Sequence, residues 1–140
     1  MTTAMVHSSP DAVRRLLADK VWAFVGLTGD PYRTVFEMAT FLNGHGVRIV
    51  PVNPRAQTVL GQRGFARLGD IPFPADVVAI YRRSEFVGPH FDEAIEIGAD
   101  GVWTPLRVVD EPAAARAMAA GLTVVMDRCP MIEWPAYGPR

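Results

Sequence analysis

Short, unbroken apolar runs recur along this chain, each set apart from the next by a segment with the period of a helix or by a turn-rich loop. That alternation constrains the fold more than any other feature. Five runs qualify as strands: Val21 to Val25, Val47 to Val52, Asp76 to Tyr81, Gly101 to Trp103 and Leu122 to Met126. Each is rich in Val, Ile or aromatic residues with little polar alternation, so both faces of the resulting sheet must be covered. Strands alternating with helices build β-α-β units around a parallel sheet. The expected fold is α/β, a doubly wound five-stranded parallel sheet with helices on both faces.

The helical segments carry their own punctuation. Ser9-Pro10-Asp11 opens the first helix, with Ser9 as cap, Pro10 in the first turn and Val13, Leu16 and Leu17 facing inward. A second helix runs from about Arg33 to Asn43 on a stripe of Val35, Met38, Ala39 and Leu42, and Gly44 and Gly46 stop it. Ser84 to Ile97 is a third, with Phe86, Val87, Phe91, Ala94 and Ile95 expected inward and Gly98 as its stop. Asp110 caps a fourth through Ala120, closed by Gly121. Between Pro54 and Pro74 periodicity is weak, so a loop with a short helix near Phe65 to Leu68 is expected there.

A chain of 140 residues is long enough for one domain with its own core, read here as residues 1–140 with 1–9 as a ragged lead-in. Fourteen basic against fifteen acidic side chains leave a net charge of −1, no general field for nucleic acid or a membrane surface. Any anion must be held locally. The longest apolar stretch ends at Leu27, far short of the ~20 residues that span a bilayer. A single cysteine excludes an internal disulfide framework and fits a reducing compartment, so a cytoplasmic location is expected.

Doubly wound sheets bind ligands beyond the carboxyl ends of their strands, where the strand order reverses. The loops at those ends are therefore the candidate site: Gly26-Leu27-Thr28-Gly29-Asp30, Asn53-Pro54-Arg55, Arg82-Arg83-Ser84 and Thr104-Pro105-Leu106-Arg107. The first joins a strand to a helix through two glycines, a turn that can offer backbone N–H groups to a phosphate. It is not the Gly-x-Gly-x-x-Gly turn of NAD enzymes, because Thr28 and Pro31 stand where glycines are required. The second strand ends in Asn53-Pro54-Arg55 rather than an acidic residue. An amide and a guanidinium suit a phosphorylated ribose such as that of NADP or coenzyme A.

These residues, in this order and spacing, resemble a family: the small stand-alone coenzyme A-binding proteins, similar to the N-terminal domain of the succinyl-CoA synthetase α subunit. The landmarks are Gly26-Leu27-Thr28, Pro51-Val52-Asn53-Pro54-Arg55, Arg82-Arg83-Ser84-Glu85, Gly98-Ala99 with Trp103, and Ala120-Gly121 leading into Val125-Met126-Asp127-Arg128-Cys129. The resemblance implies a Rossmann-like sheet of order 3-2-1-4-5 with coenzyme A, or an acyl-CoA, across its carboxyl edge. It implies that the Gly26 to Gly29 turn holds phosphate, that Arg55 approaches the adenosine phosphate end, and that Arg33, Asn53 and Pro54 are among the coenzyme A-binding residues. Arg82, Arg83, Thr104, Pro105 and Arg107 would then flank the pantetheine.

The chain departs from the family's pattern in two places. Pro105 and Arg107 replace a glutamine and a glycine, and Arg33-Thr34-Val35 replaces Arg-Pro-Ser. None of His7, His45 and His90 matches the phosphorylated-histidine motif of the synthetases, so the expectation is non-catalytic coenzyme A binding. An NADPH-dependent oxidoreductase and a structural protein with a decayed nucleotide pocket are the alternatives. The expected partner is the small molecule, with a homo-oligomer open. Cys129, preceded by Asp127 and Arg128, reads either as a nucleophile or as packing at a strand end. Asp92, Glu93 and Glu96 read as a solvated row. Trp134 and Tyr137 among prolines would cover the sheet edge or join a partner.

Overall fold

The computed structural model describes residues 6–140. Among these the chain runs α1 (Pro10–Leu17), β1 (Val21–Val25), α2 (Thr34–Gly44), β2 (Arg48–Val52), a 3-10 turn (Leu68–Asp70), β3 (Val77–Ile80), α3 (Ser84–Glu96), β4 (Gly101–Trp103), α4 (Glu111–Ala119), β5 (Thr123–Val125) and α5 (Pro130–Tyr137). All neighbouring strands are parallel. The fold is the expected α/β Rossmann-like sheet.

Alternation along each strand divides the core. Trp22 and Phe24 of β1 face α1, α2 and α5, together with Ile49, Ala79, Trp103 and Val125. Ala23 and Val25 face α3, α4 and the 3-10 turn, with Val50, Val78, Val102 and Val124. Near-continuous apolar strands are what two covered faces require. The capping residues act as the sequence predicts: Ser9 Oγ accepts from Ala12 N at 3.1 Å and Asp110 Oδ1 from Ala113 N at 3.0 Å.

The strand order is 2-1-3-4-5, not 3-2-1-4-5. β1 lies between β2 and β3, and β2 is an outer strand of the sheet. Pro51 gives the physical reason. It lacks an N–H, and proline is confined to sheet edges for that reason. Its carbonyl accepts from Phe65 N at 2.9 Å, while Phe65 O accepts from Asn53 N at 3.0 Å. The chain after β2 thus runs back along that strand's outer margin through a single parallel bridge, Val52 to Phe65, before crossing to β3.

Three further expectations change. The short helical turn lies at Leu68–Asp70 rather than Phe65 to Leu68. Phe86 is 46% exposed and sits at the carboxyl edge, leaving Val87, Phe91 and Ala94 as the buried stripe of α3. Around Trp134 the chain forms α5, with Pro130 buried in its first turn. Trp134 meets Phe41 and His45 of the α2 end at 5.8 and 4.9 Å, so α5 covers the α1–α2 face. Of the lead-in, residues 1–5 lie outside the described residues, whereas Ser8 N donates to Val124 O at 2.8 Å and Ser8 Oγ accepts from Met126 N at 2.8 Å.

Candidate functional site

The order 2-1-3-4-5 puts the reversal between β1 and β3, and a ligand site is expected beyond that gap. Gly26 ends β1 there. Its N–H donates to Val52 O at 2.9 Å, and its φ of +95° is one that side chains other than glycine rarely adopt. A Cβ at this position would stand 2.7 Å from the Tyr81 carbonyl, so the two strand ends approach closely only because Gly26 has none.

Three adjoining cavities lie along this edge. One of 520 Å³ opens between the ends of β1, β2 and β3, lined by Gly26, Thr28, Arg33, Asn53, Pro54 and Arg67, with Arg82, His90 and Glu93 on its far side. A second, of 510 Å³, shares Gly26, Arg33, Tyr81 and Arg82 with the first and adds Arg83, Phe86 and Pro105. A third, of 340 Å³, shares Thr34, Tyr81 and Pro105 with the second and is closed by Met38, Leu106 and Cys129. Tyr81 lines all three.

The middle cavity gathers groups of positive sign. Arg33 and Arg83 stand at the N-caps of α2 and α3, and neither cap is made by a side chain. Free N–H groups and the positive helix ends are therefore offered toward Thr34 and Arg83 on the cavity wall. Arg82 is held from two sides: Nη1 donates to His90 Nε2 at 3.3 Å, and the guanidinium lies 4.8 Å from the Phe86 ring. His90 Nδ1 in turn meets Glu93 Oε1 at 2.6 Å, so a proton on Nδ1 satisfies both contacts. Glu93 is thus part of the cavity wall rather than of a solvated row. Asp92 behaves as a surface residue, paired with Arg116 at 3.0 Å.

Tyr81 is the most unusual group at the edge. Its hydroxyl oxygen is shut off from solvent and has no hydrogen-bond partner among the described residues. Burial, and then the neighbouring Cys129, push its ionisation upward, so the phenol stays a donor.

The residues named from the sequence divide. Gly26, Thr28, Arg33, Asn53, Pro54, Arg82, Arg83 and Pro105 come together on the walls. Leu27 points into the core, fully buried, and only its backbone reaches the loop. Gly29 donates to Gln57 Oε1 at 3.4 Å. Asn53 spends its polar atoms on the loops themselves: Nδ2 donates to Leu27 O at 3.0 Å and Gln57 O at 3.3 Å, and Oδ1 accepts from Gln57 N at 2.9 Å. Arg55 is exposed and lines none of the three cavities. Thr104 is buried, its Oγ1 donating to Val108 O at 2.7 Å, and Arg107 stands outside the cavities at φ +69° with its N–H on Asp127 Oδ1. Sequence reasoning missed Arg67, His90 and Glu93, which no local spacing connects to the loops. Tyr81, last residue of the third apolar run, was legible by position alone.

The chain is thus a Rossmann-like α/β domain of the doubly wound class, with an arginine-lined cleft at its reversal point. Comparison with known proteins narrows the class. The profile of the CoA binding domain family matches residues 20–135, and the chain belongs to that family. An uncharacterized protein of Bacillus subtilis, YneT, is 35% identical over 126 residues, covering 89% of this chain and 93% of that protein. The structure of a hypothetical protein from Pyrococcus horikoshii superimposes with a TM-score of 0.86 at 29% identity, over 98% of this chain and 97% of the other. Part of an acetyl-coenzyme A synthetase from Ca. Korarchaeum cryptofilum shares the fold, with a TM-score of 0.68 at 22% identity, over 80% of this chain and 27% of the synthetase.

Proposed function

We propose that this protein binds coenzyme A or an acyl-CoA without chemically transforming it. The observation that carries the reading is the continuity of the three cavities through Gly26, Arg33, Tyr81 and Pro105, arginine-lined at one end and apolar at the other. A long ligand with a phosphorylated nucleoside at one end and a thiol arm at the other fits that polarity. The adenosine and its phosphate occupy the β2 end near Arg67, and the diphosphate sits at the α2 and α3 N-termini between Arg33, Arg82 and Arg83. The pantetheine runs past Pro105 toward Met38 and Leu106. Pro105 supplies no N–H to that arm, so apolar contact rather than a backbone hydrogen bond holds it there. No described helix is long and apolar enough to cross a membrane. We place the protein in the cytoplasm.

Thermal denaturation with added ligands tests the reading, because a ligand that binds only the folded state raises the melting temperature. Coenzyme A should raise it and NAD should not. A shift with NADPH and none with coenzyme A would replace this reading with that of a nicotinamide oxidoreductase, and no shift with either would favour a decayed pocket.

A further inference from the structure

The third cavity differs from its two neighbours in charge: among the described residues no arginine, lysine or carboxylate side chain lines it. Met38, Tyr81, Pro105, Leu106 and Cys129 make its wall, and Thr34 stands where it joins the middle cavity. Four of these residues have an arginine beside them in sequence, and each guanidinium is placed elsewhere. Arg33 and Arg82 line the other two cavities, Arg107 lines none of the three, and Arg128 donates to Asp127 O at 2.9 Å and faces Glu133 at 3.7 Å. The Met38 and Cys129 sulfur atoms lie 3.6 Å apart, a soft surface that adapts to an aliphatic neighbour. Leu106 is 52% exposed, yet its loop is braced on every side. Thr104 Oγ1 donates to Val108 O at 2.7 Å, Arg107 N donates to Asp127 Oδ1 at 2.6 Å, and Val109 N donates to Ser84 Oγ at 3.1 Å. Those bonds hold Arg107 at a φ of +69°, a conformation that is costly for a residue with a side chain. An apolar side chain fixed at the rim of a cavity and left half in water gains when a ligand covers it.

We infer that the preferred ligand is the coenzyme A thioester of an uncharged aliphatic acid, its acyl chain filling the cavity beside Met38, Pro105 and Leu106. The inference rests on the coenzyme A reading of the adjoining cavities, which brings the sulfur end of the pantetheine here. A free thiol leaves most of the 340 Å³ unfilled. Each methylene moved from water into that space strengthens binding about threefold to fourfold. A terminal carboxylate gains nothing of the kind. It would give up its hydration, and no cation on the wall replaces what it loses. The cavity therefore selects against the free thiol by volume and against a dicarboxylic acid thioester by charge.

Titration calorimetry with coenzyme A, acetyl-CoA, butyryl-CoA and succinyl-CoA tests this. The butyryl and succinyl groups share a carbon skeleton and differ in a terminal methyl against a carboxylate. Butyryl-CoA is expected to bind about tenfold tighter than acetyl-CoA, for its two further methylenes, and about tenfold or more tighter than succinyl-CoA. Leu106→Lys, at a half-exposed position, puts a cation on the rim and should narrow or reverse the gap between butyryl-CoA and succinyl-CoA. Equal affinity for acetyl-CoA and butyryl-CoA, or succinyl-CoA binding as tightly as butyryl-CoA, overturns the inference. So does a gap unchanged in the Leu106→Lys variant, because the acyl chain would then lie elsewhere. In each of those cases binding of coenzyme A itself leaves the underlying reading intact, whereas no binding of any of the ligands defeats both.

Discussion

The Asn53 side-chain amide donates to the Leu27 carbonyl across 3.0 Å, tying the loop after β2 to the loop after β1. The same side chain accepts from Arg55 N at 3.2 Å and from Gln57 N at 2.9 Å, so one buried residue organises the backbone on both sides of the cleft. Its role is to position the loops, because none of these bonds leaves the amide free for a ligand.

Asn53→Leu keeps the volume and removes every one of those bonds. Each buried backbone group left without a partner costs ~1–3 kcal/mol. The melting temperature should fall by roughly 5 °C or more, with weaker coenzyme A binding. An unchanged melting temperature would show that the loops hold their shape without Asn53.

Arg67 lines the cavity at the β2 end and Arg55 does not. A charge-assisted hydrogen bond is worth ~1.5–3 kcal/mol, so Arg67→Ala should weaken coenzyme A about tenfold or more. It should weaken 3′-dephospho-coenzyme A less, and Arg55→Ala should change both ligands little. Titration calorimetry of the two variants decides the matter. A larger loss with Arg55→Ala would return the ribose phosphate to the position the sequence suggested.

Gly26→Ala tests the close approach at the reversal point. The new Cβ would collide with the Tyr81 carbonyl at a φ of +95°, and the left-handed backbone alone costs a side chain ~1–2 kcal/mol. The variant should lose that much stability or more in denaturant titration, together with most of its coenzyme A affinity. Full affinity at reduced stability would separate the turn's structural role from the ligand.

At the amino edge of the sheet, Asp19 and Asp100 meet beside Arg15, which bridges to Asp100 at 2.8 Å. Burial first, then the hydrogen bond and the charge of Asp100, push Asp19 from its ordinary 3.8 up to about 8. For Asp100 burial is outweighed by its hydrogen bonds with Arg15 and Asp19, which lower it. The folded chain therefore keeps a proton on Asp19 that the unfolded chain has already released. That contribution is full below about 3.8 and is lost as pH rises through about 8. Denaturant titrations at about pH 5 and about pH 9 should show the wild type losing stability with pH and Asp19→Asn losing less. Parallel losses in the two proteins would place the pH dependence elsewhere.

The sequence by itself determined the class of fold and the edge where the cleft lies. Five apolar runs, the caps at Ser9 and Asp110 and the stops at Gly44, Gly98 and Gly121 are local signals, each read within a few residues. Gly26, Arg33, Arg82 and Arg83 were legible for the same reason, since position at a strand's carboxyl end follows from the strand. Only the tertiary structure decided the strand order, because pairing β3 with β1 rather than with β2 depends on a long connection that carries no period. Pro51 held a hint of it, a missing N–H that suits an outer strand. The tertiary structure likewise brought Arg67 to the cavity while leaving Arg55 outside, and set Tyr81 beside Cys129. Such meetings are settled by how distant loops pack across the sheet, and residue spacing along the chain does not encode them.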